Sequence, residues 1–474
     1  MRRYSGRAPV AADAHDAAPV NARQELGETL RLALPLVGAS AGSQLMSLVD
    51  TAVVGRLGAT HIGGAGIGNS LFFVSSILAL GVLLGLDPLA SQAMGAGRPA
   101  DARRHLREAL TLAAALSLPF TLLPFGLAAL LPRMGVDPAV AAEAWQYILA
   151  RAPSMFPFLA FIALRSYLQA LGLGRPSMVA MVVGNIVNLP AAWLFVLGDA
   201  GLERLGLPSI GFGAGWGTFG AGLAGATGAV VQVLVLLLAL RSVPVPDGTG
   251  RPALAGVLRL LRLGAPIGMQ FLSEVGVFAL VQFLMGAYGA QWAAGHNVAL
   301  QIAAFTFTIC LGVSQAGAVR VGYAVGRDDP AGARRAGLIA LGLGAAVMTC
   351  SGASLVVFRF GLAGLLADPP EVVEAGAALL LIAAAFQLFD GLQAVGAGIL
   401  RGAGDTRAAM WINVVVHLGV TLPLLWVLAE WAGLGPRGLW WGLTVGLALT
   451  GVALTVRFLQ CTRPSGAGLT RVDR

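Results

Sequence analysis

Leu32-Ala-Leu-Pro35-Leu-Val-Gly-Ala-Ser40-Ala-Gly-Ser43-Gln-Leu-Met-Ser47-Leu-Val-Asp50-Thr-Ala-Val-Val-Gly55 contains one charged side chain, Asp50, in a stretch otherwise apolar or small. A run of about 18 such residues is long enough to cross a bilayer as a helix. Eleven more segments of this kind follow, from 61–85 to 438–460. The remaining composition agrees. Of 474 residues 57% are hydrophobic and 11% charged, against about 25% charged in an ordinary globular domain. The segments are too long, and lack the alternation, for β-barrel strands of about ten residues. The sequence therefore predicts an all-α polytopic membrane protein with twelve transmembrane helices.

The basic residues set the expected orientation. All 31 are Arg, and positive charge concentrates on the cytoplasmic side of a bilayer. With the amino terminus inside, 24 arginines fall in cytoplasmic segments and four (Arg56, Arg133, Arg204 and Arg437) fall outside. Both termini are thus expected in the cytoplasm, in a cell inner (plasma) membrane. The other three, Arg151, Arg165 and Arg359, are read as anchors snorkelling from span ends. A net charge of +8 carried by such loops gives no soluble basic face, which excludes nucleic acid as a partner. Residues 1–31 lack the apolar core of a secretory signal and read as a disordered cytoplasmic tail.

The second half repeats the first at an offset near 231. Leu32 to Pro35 aligns with Leu263 to Pro266, Gly97-Arg98 with Gly326-Arg327, and Gly172, Arg175 and Met178 with Gly404, Arg407 and Met410. Six helices per repeat make it a parallel duplication about an axis along the membrane normal. The expected organisation is two pseudo-symmetric six-helix bundles, at 32–240 and 263–460. A cytoplasmic linker at 241–262 ends in an interfacial helix bearing Leu254, Val257, Leu258 and Leu261, and 461–474 form a cytoplasmic tail. Paired bundles of this kind enclose a cleft near the midplane, which favours alternating access over a fixed pore.

Of 23 acidic residues, Asp50, Glu274 and Asp390 lie well inside the segments. A carboxylate at mid-membrane costs about 2.5–3.5 kcal/mol on insertion scales, so it is expected to face a wet cavity and mark a cation or proton path. Polar residues share their helix faces. They are Ser40, Ser43 and Ser47 with Asp50, Gln270 and Gln282 with Glu274, Gln387 and Gln393 with Asp390, and Asn297, Gln301 and Thr308 on the eighth segment. The plainer alternative is that each carboxylate pairs with an arginine or caps a broken helix. His417 reads as a structural histidine or a proton relay.

Other chemistry lacks support. Cys310, Cys350 and Cys461 have no metal-ligand spacing. With no lysine in the chain there is no Gly-x-x-x-x-Gly-Lys phosphate loop, hence no ATP-driven pumping by this chain alone. No His-Glu-x-x-His pattern or His/Cys cluster suggests an integral-membrane enzyme.

The run Leu48-Val-Asp50-Thr51-Ala-Val-Val-Gly55-Arg56-Leu-Gly58 resembles the first-helix signature of multidrug and toxic compound extrusion (MATE) antiporters. So do Gly295-His296-Asn297-Val-Ala-Leu-Gln301, Arg320-Val-Gly322-Tyr-Ala-Val-Gly326 and Leu400-Arg401-Gly402-Ala-Gly404-Asp405-Thr406-Arg407. The resemblance spans nearly the whole chain and implies a MATE-like fold. It implies export of organic, often cationic, compounds in exchange for inward Na⁺ or H⁺, with the ion as the sole cofactor-like species. Glu274 and Asp390 are similar to the cation-coupling pair of the NorM-like branch. Asp50 matches the amino-lobe carboxylate, with Asn188 and Thr227 as companions, and all three carboxylates would ligate Na⁺ if sodium couples. The polar faces make Ser43, Ser47, Gln270, Gln282, Asn297 and Gln301 candidates for the cavity wall, and the resemblance adds Asn185. One departure stands out: Ala192 occupies a position that is often polar in the family. Either Asn185 compensates or weight shifts to Glu274 and Asp390. The expected partners are an organic cation and the bilayer, around a monomer. A flippase for lipid-linked oligosaccharides, on the same superfold, is the alternative. Such cavities favour basic residues, whereas the deep charges here are acidic.

Overall fold

The computed structural model describes residues 21–204, 206–243, 252–463, 469 and 471–472. Among them twelve helices are long and apolar enough to cross a membrane, and no strand occurs. They are α1 (Ala22–Leu57), α2 (Ala59–Gly95), α3 (Pro99–Ala128), α4 (Pro138–Ala170), α5 (Arg175–Leu197) and α6 (Gly217–Arg241). The second half supplies α7 (Leu254–Ala287), α8 (Ala290–Gly326), α9 (Pro330–Gly364), α10 (Pro370–Gly402), α11 (Thr406–Trp431) and α12 (Pro436–Cys461).

Local sequence explains most boundaries. Proline opens α3, α4, α9, α10 and α12, a position where its missing N–H costs nothing. Most helices run several residues past their apolar cores. α1 starts at Ala22, ten residues ahead of the apolar run, because Asn21 and Gln24 form a reciprocal capping box. The expected disordered tail is thereby corrected for 22–31, and 1–20 lie outside the described residues. At its other end the glycine-rich stretch delays α6. Gly211, Gly213, Gly215 and Gly217 all have positive φ, a backbone that rules out helix until Gly217. The separate interfacial helix of the linker is also corrected. Leu254 begins one helix that continues through Pro266 to Ala287, and Gly256 packs against Glu108 of α3. Residues 244–251 of the linker lie outside the described residues.

Helices α1–α6 pack chiefly on one another, as do α7–α12. Where the halves meet, side chains are pared away. Gly81 and Gly85 of α2 sit against Gly268 and Gly264 of α7 with no room for a β-carbon, and Gly312 of α8 lies on Ala33 and Val37 of α1. Small residues allow this approach where lipid gives no hydrophobic drive to association. Polar contacts seal the same seam. Glu25 of α1 takes a bidentate bond from Arg320 of α8 at 2.7 Å, and Gln169 of α4 donates to Gln315 of α8 at 3.1 Å. Gln92 of α2 donates to the Gly402 carbonyl at 3.1 Å and accepts from the Val472 backbone N–H at 2.9 Å.

All these contacts lie at the arginine-rich end of the helices. Beyond them the exposed polar stripes begin. Ser43 and Ser47 on α1, Asn69 on α2, and Asn297 and Gln301 on α8 are exposed within their spans. Gln301 precedes Gly312 by 11 residues, about three turns, so it points toward α1 past the point where the two helices part. Exposed amides at that depth belong in water rather than acyl chains. The halves form a V, closed at the arginine-rich end and open at the other.

Candidate functional site

Within the carboxy-terminal half, Glu274 and Asp390 come together. The Glu274 carboxylate accepts a hydrogen bond from Gln393 Nε2 at 3.0 Å. Gln393 Nε2 also donates to Asn413 Oδ1 at 3.1 Å, and His417 Nδ1 pairs with the Asn413 carbonyl at 2.9 Å. One chain of polar groups thus crosses α7, α10 and α11. It ends where α11 widens to a π-helix over Val415–Thr421, a distortion common at functional sites. Asp390 is 6% exposed and lies within electrostatic reach of Glu274. Among the described residues its carboxyl accepts no hydrogen bond, and no arginine pairs with either carboxylate. Gln387, one turn away, donates to Thr306 of α8 and to Ser351 of α9.

Two neighbouring carboxylates without a cation leave negative charge that a mobile cation or protons must balance. Asp390 is buried deep in the half, Glu274 is half-buried, and the amide of Gln393 ties the latter to the α11 chain.

In the amino-terminal half the arrangement differs. Asp50 is half-buried, within reach of Arg151 of α4 and Asn188 of α5. Asn188 lies beside it, yet both its amide atoms and Asp50 Oδ1 are buried without a partner among the described residues. Arg151 reaches Asp50 electrostatically. This overturns its reading as a snorkelling anchor, because the guanidinium lies inside the bundle on Gly225 of α6 and 5.0 Å from the Phe72 ring. Asn185 does not stand in for the missing polar residue. Its amide is committed to the Gly42 and Met181 carbonyls, each at 2.9 Å, and Ala192 is buried. The Thr227 hydroxyl donates to Leu223 of its own helix at 2.9 Å.

Other predicted residues sort by depth. Ser43, Ser47, Asn297 and Gln301 are exposed, Gln282 is half-buried and Gln270 is buried. Arg165 is a second corrected anchor. It is half-buried, its Nε fully enclosed, at the seam with Asp87 and Arg401, where Arg401 Nε approaches Asp87 Oδ2 to 3.2 Å. Arg359 is half-buried and donates to the Val356 carbonyl at 3.0 Å. The sequence reading missed Asp87, because the second apolar run ends at 85 while the helix restarts at Leu86 and continues to Gly95. It also missed Asn413, which sits one turn before His417 on the same face.

The MatE family profile matches the chain twice, over residues 35–194 and 266–427, starting 231 residues apart. A Bradyrhizobium diazoefficiens protein described as probable multidrug resistance protein NorM is 36% identical over 451 residues, 93% of this chain and 94% of its own. A Deinococcus radiodurans protein of the same description is 38% identical over 461 residues, 94% of this chain and 98% of that one. Among solved structures, the eukaryotic MATE transporter AtDTX14 superposes with a TM-score of 0.84 at 21% identity, over 95% of this chain and 99% of that one. A MOP superfamily transporter from Pyrococcus furiosus superposes with a TM-score of 0.82 at 18% identity, over 92% of this chain and 96% of that one.

Proposed function

Because the chain belongs to the MatE family of multidrug transporters, we propose that it is a secondary antiporter. It exports organic cations across the inner membrane in exchange for inward-moving H⁺ or Na⁺. One observation carries the reading: Glu274 and Asp390 sit together in mid-membrane with no arginine to neutralise them. With the arginine-rich end in the cytoplasm, the V is open outward and sealed inward.

In this state the coupling ion enters from the open side and occupies the Glu274–Asp390 pair. Its charge displaces a drug cation held by the same carboxylates, which leaves through the cleft. The halves then rock about the seam, the ion departs inward, and the vacated carboxylates accept the next cation. A membrane potential of 100 mV contributes about 2.3 kcal/mol for each charge carried, enough to drive the cycle without nucleotide. Gln393 holds one Glu274 oxygen and leaves the other for the ion.

Efflux of a fluorescent organic cation from proteoliposomes, under imposed pH or Na⁺ gradients, tests the reading. Glu274→Gln and Asp390→Asn are expected to abolish gradient-driven efflux, and the gradient that drives the wild type identifies the ion. Wild-type rates in both variants, or movement of a lipid-linked oligosaccharide in place of the cation, overturn it.

A further inference from the structure

The amino-terminal half contains a polar cluster that the coupling pair does not use. Asp50 Oδ1, both amide atoms of Asn188, and Nε and Nη1 of Arg151 are all buried without hydrogen-bond partners among the described residues. These three side chains come from α1, α5 and α4, and a buried polar group without a partner is costly. The charges of Asp50 and Arg151 act on each other and on the Tyr147 phenol. Among the described residues they are not in ion-pair contact, so each acts on the other across a gap rather than through a shared hydrogen bond.

Two features fix the guanidinium in place. Pro153 follows Arg151 by two residues, and α4 tightens there into a 3-10 turn over Ala152–Ser154. Ser154 Oγ caps the Arg151 carbonyl at 2.6 Å. Opposite, Gly225 of α6 has no side chain, and the guanidinium fills the volume that a β-carbon would take. The Phe72 ring flanks it at 5.0 Å, a cation–π contact. Arginine does not lose its proton in proteins, so this cluster carries a permanent positive charge.

Resting on the exporter reading above, we infer that Arg151 is the resident counter-charge of Asp50, so the amino-half cluster takes up no coupling cation and ion traffic runs through Glu274 and Asp390 alone. A second cation at Asp50 would sit against the guanidinium with little to enclose it. Ala192 supplies a methyl group, and the Asn185 amide is tied to backbone. Arg151 is thus a positioning residue that decides which half exchanges ions.

The test uses the purified full-length protein on a Glu274→Gln/Asp390→Asn background, with ²²Na⁺ binding and proton uptake as readouts. That double variant is expected to bind neither ion. Adding Arg151→Met, or Arg151→Gln as a second form, is expected to create one cation site, with binding at least ~10-fold above the parent's background, the scale of a single neighbouring charge. The new site should vanish with Asp50→Asn, and Arg151→Lys, which keeps the charge, should not create it. Such a gain of binding cannot come from misfolding. An Asp50-dependent ion in the double variant with Arg151 intact overturns the inference, as does the absence of any new site in both neutral Arg151 variants. Either failure leaves the exporter reading standing, because that reading is decided by gradient-driven efflux in the wild type.

Discussion

The two halves share a helix plan and differ in how they balance charge. The carboxy-terminal half places two carboxylates together, ties one through Gln393 to Asn413, and supplies no cation. The amino-terminal half places one carboxylate near one guanidinium, with the Asn188 amide beside them left without a hydrogen-bond partner among the described residues. The first arrangement changes its charge only by taking and releasing ions. On the inference above, Arg151 already balances the second. One duplicated plan thus carries two polar clusters, and Arg151 is the charge that distinguishes them.

The largest expected effect concerns the seam, where each half offers an arginine to the same anion. Asp87 faces Arg165 of its own half and Arg401 of the other. Asp87→Asn leaves two guanidinium groups opposed, and breaking the buried Asp87–Arg401 pair costs about 3–5 kcal/mol. Thermal unfolding in detergent should show the corresponding fall in melting temperature, and an unchanged midpoint would mean that Asp87 does not join the halves. Next comes the contrast between the two clusters. Glu274→Gln with Asp390→Asn should slow gradient-driven efflux at least ~100-fold, about 2.7 kcal/mol in the barrier. Asp50→Asn should slow it no more than about threefold, or ~0.7 kcal/mol. Equal losses would erase the asymmetry.

The amides sharpen the comparison further. Gln393→Leu strands a Glu274 oxygen and Asn413 Oδ1, a loss of about 1–3 kcal/mol, and should reduce efflux about tenfold. Asn185→Leu, whose amide holds only backbone carbonyls, should lower the melting temperature by a similar energy and leave the ion dependence of efflux unchanged. The smallest effect lies at the open end. Asp199 accepts backbone N–H bonds from Gly213 at 2.8 Å and Ile210 at 3.0 Å. These bonds, the one from Gly213 foremost, hold its carboxyl below the usual value of 3.8. A depressed folded-state pKa makes the contribution complete at neutral pH and lost as the pH falls through the folded value. Hydrogen exchange at the Gly213 amide should therefore be faster in Asp199→Asn than in wild type at pH 7, with the difference closing below pH 3.8.

Hydropathy showed where twelve helices cross, and the cost of a charge in lipid singled out Asp50, Glu274 and Asp390. The sequence was mute where burial comes from the other half of the molecule. Asp87 lies past the end of an apolar run, so it resembles a loop residue until Arg401, 314 positions later, is seen against it. Arg151 occupies a position from which an arginine ordinarily reaches for the interface, and only the gap at Gly225 reveals that it turns inward. Asn185 and Asn188 are indistinguishable as letters. One turn of helix commits the first to the Gly42 and Met181 carbonyls and leaves the second beside Asp50.

The bond from the Val472 backbone to Gln92 has a practical side. Gln92 is also the residue that grips the Gly402 carbonyl, while Arg471 reaches Asp328 at 2.6 Å. A fluorescent reporter or affinity handle fused just after residue 472 would pull on the Gln92 side chain that ties the two halves together. Rates measured on such fusions should be compared with those from amino-terminally labelled protein before they are ascribed to the transporter itself.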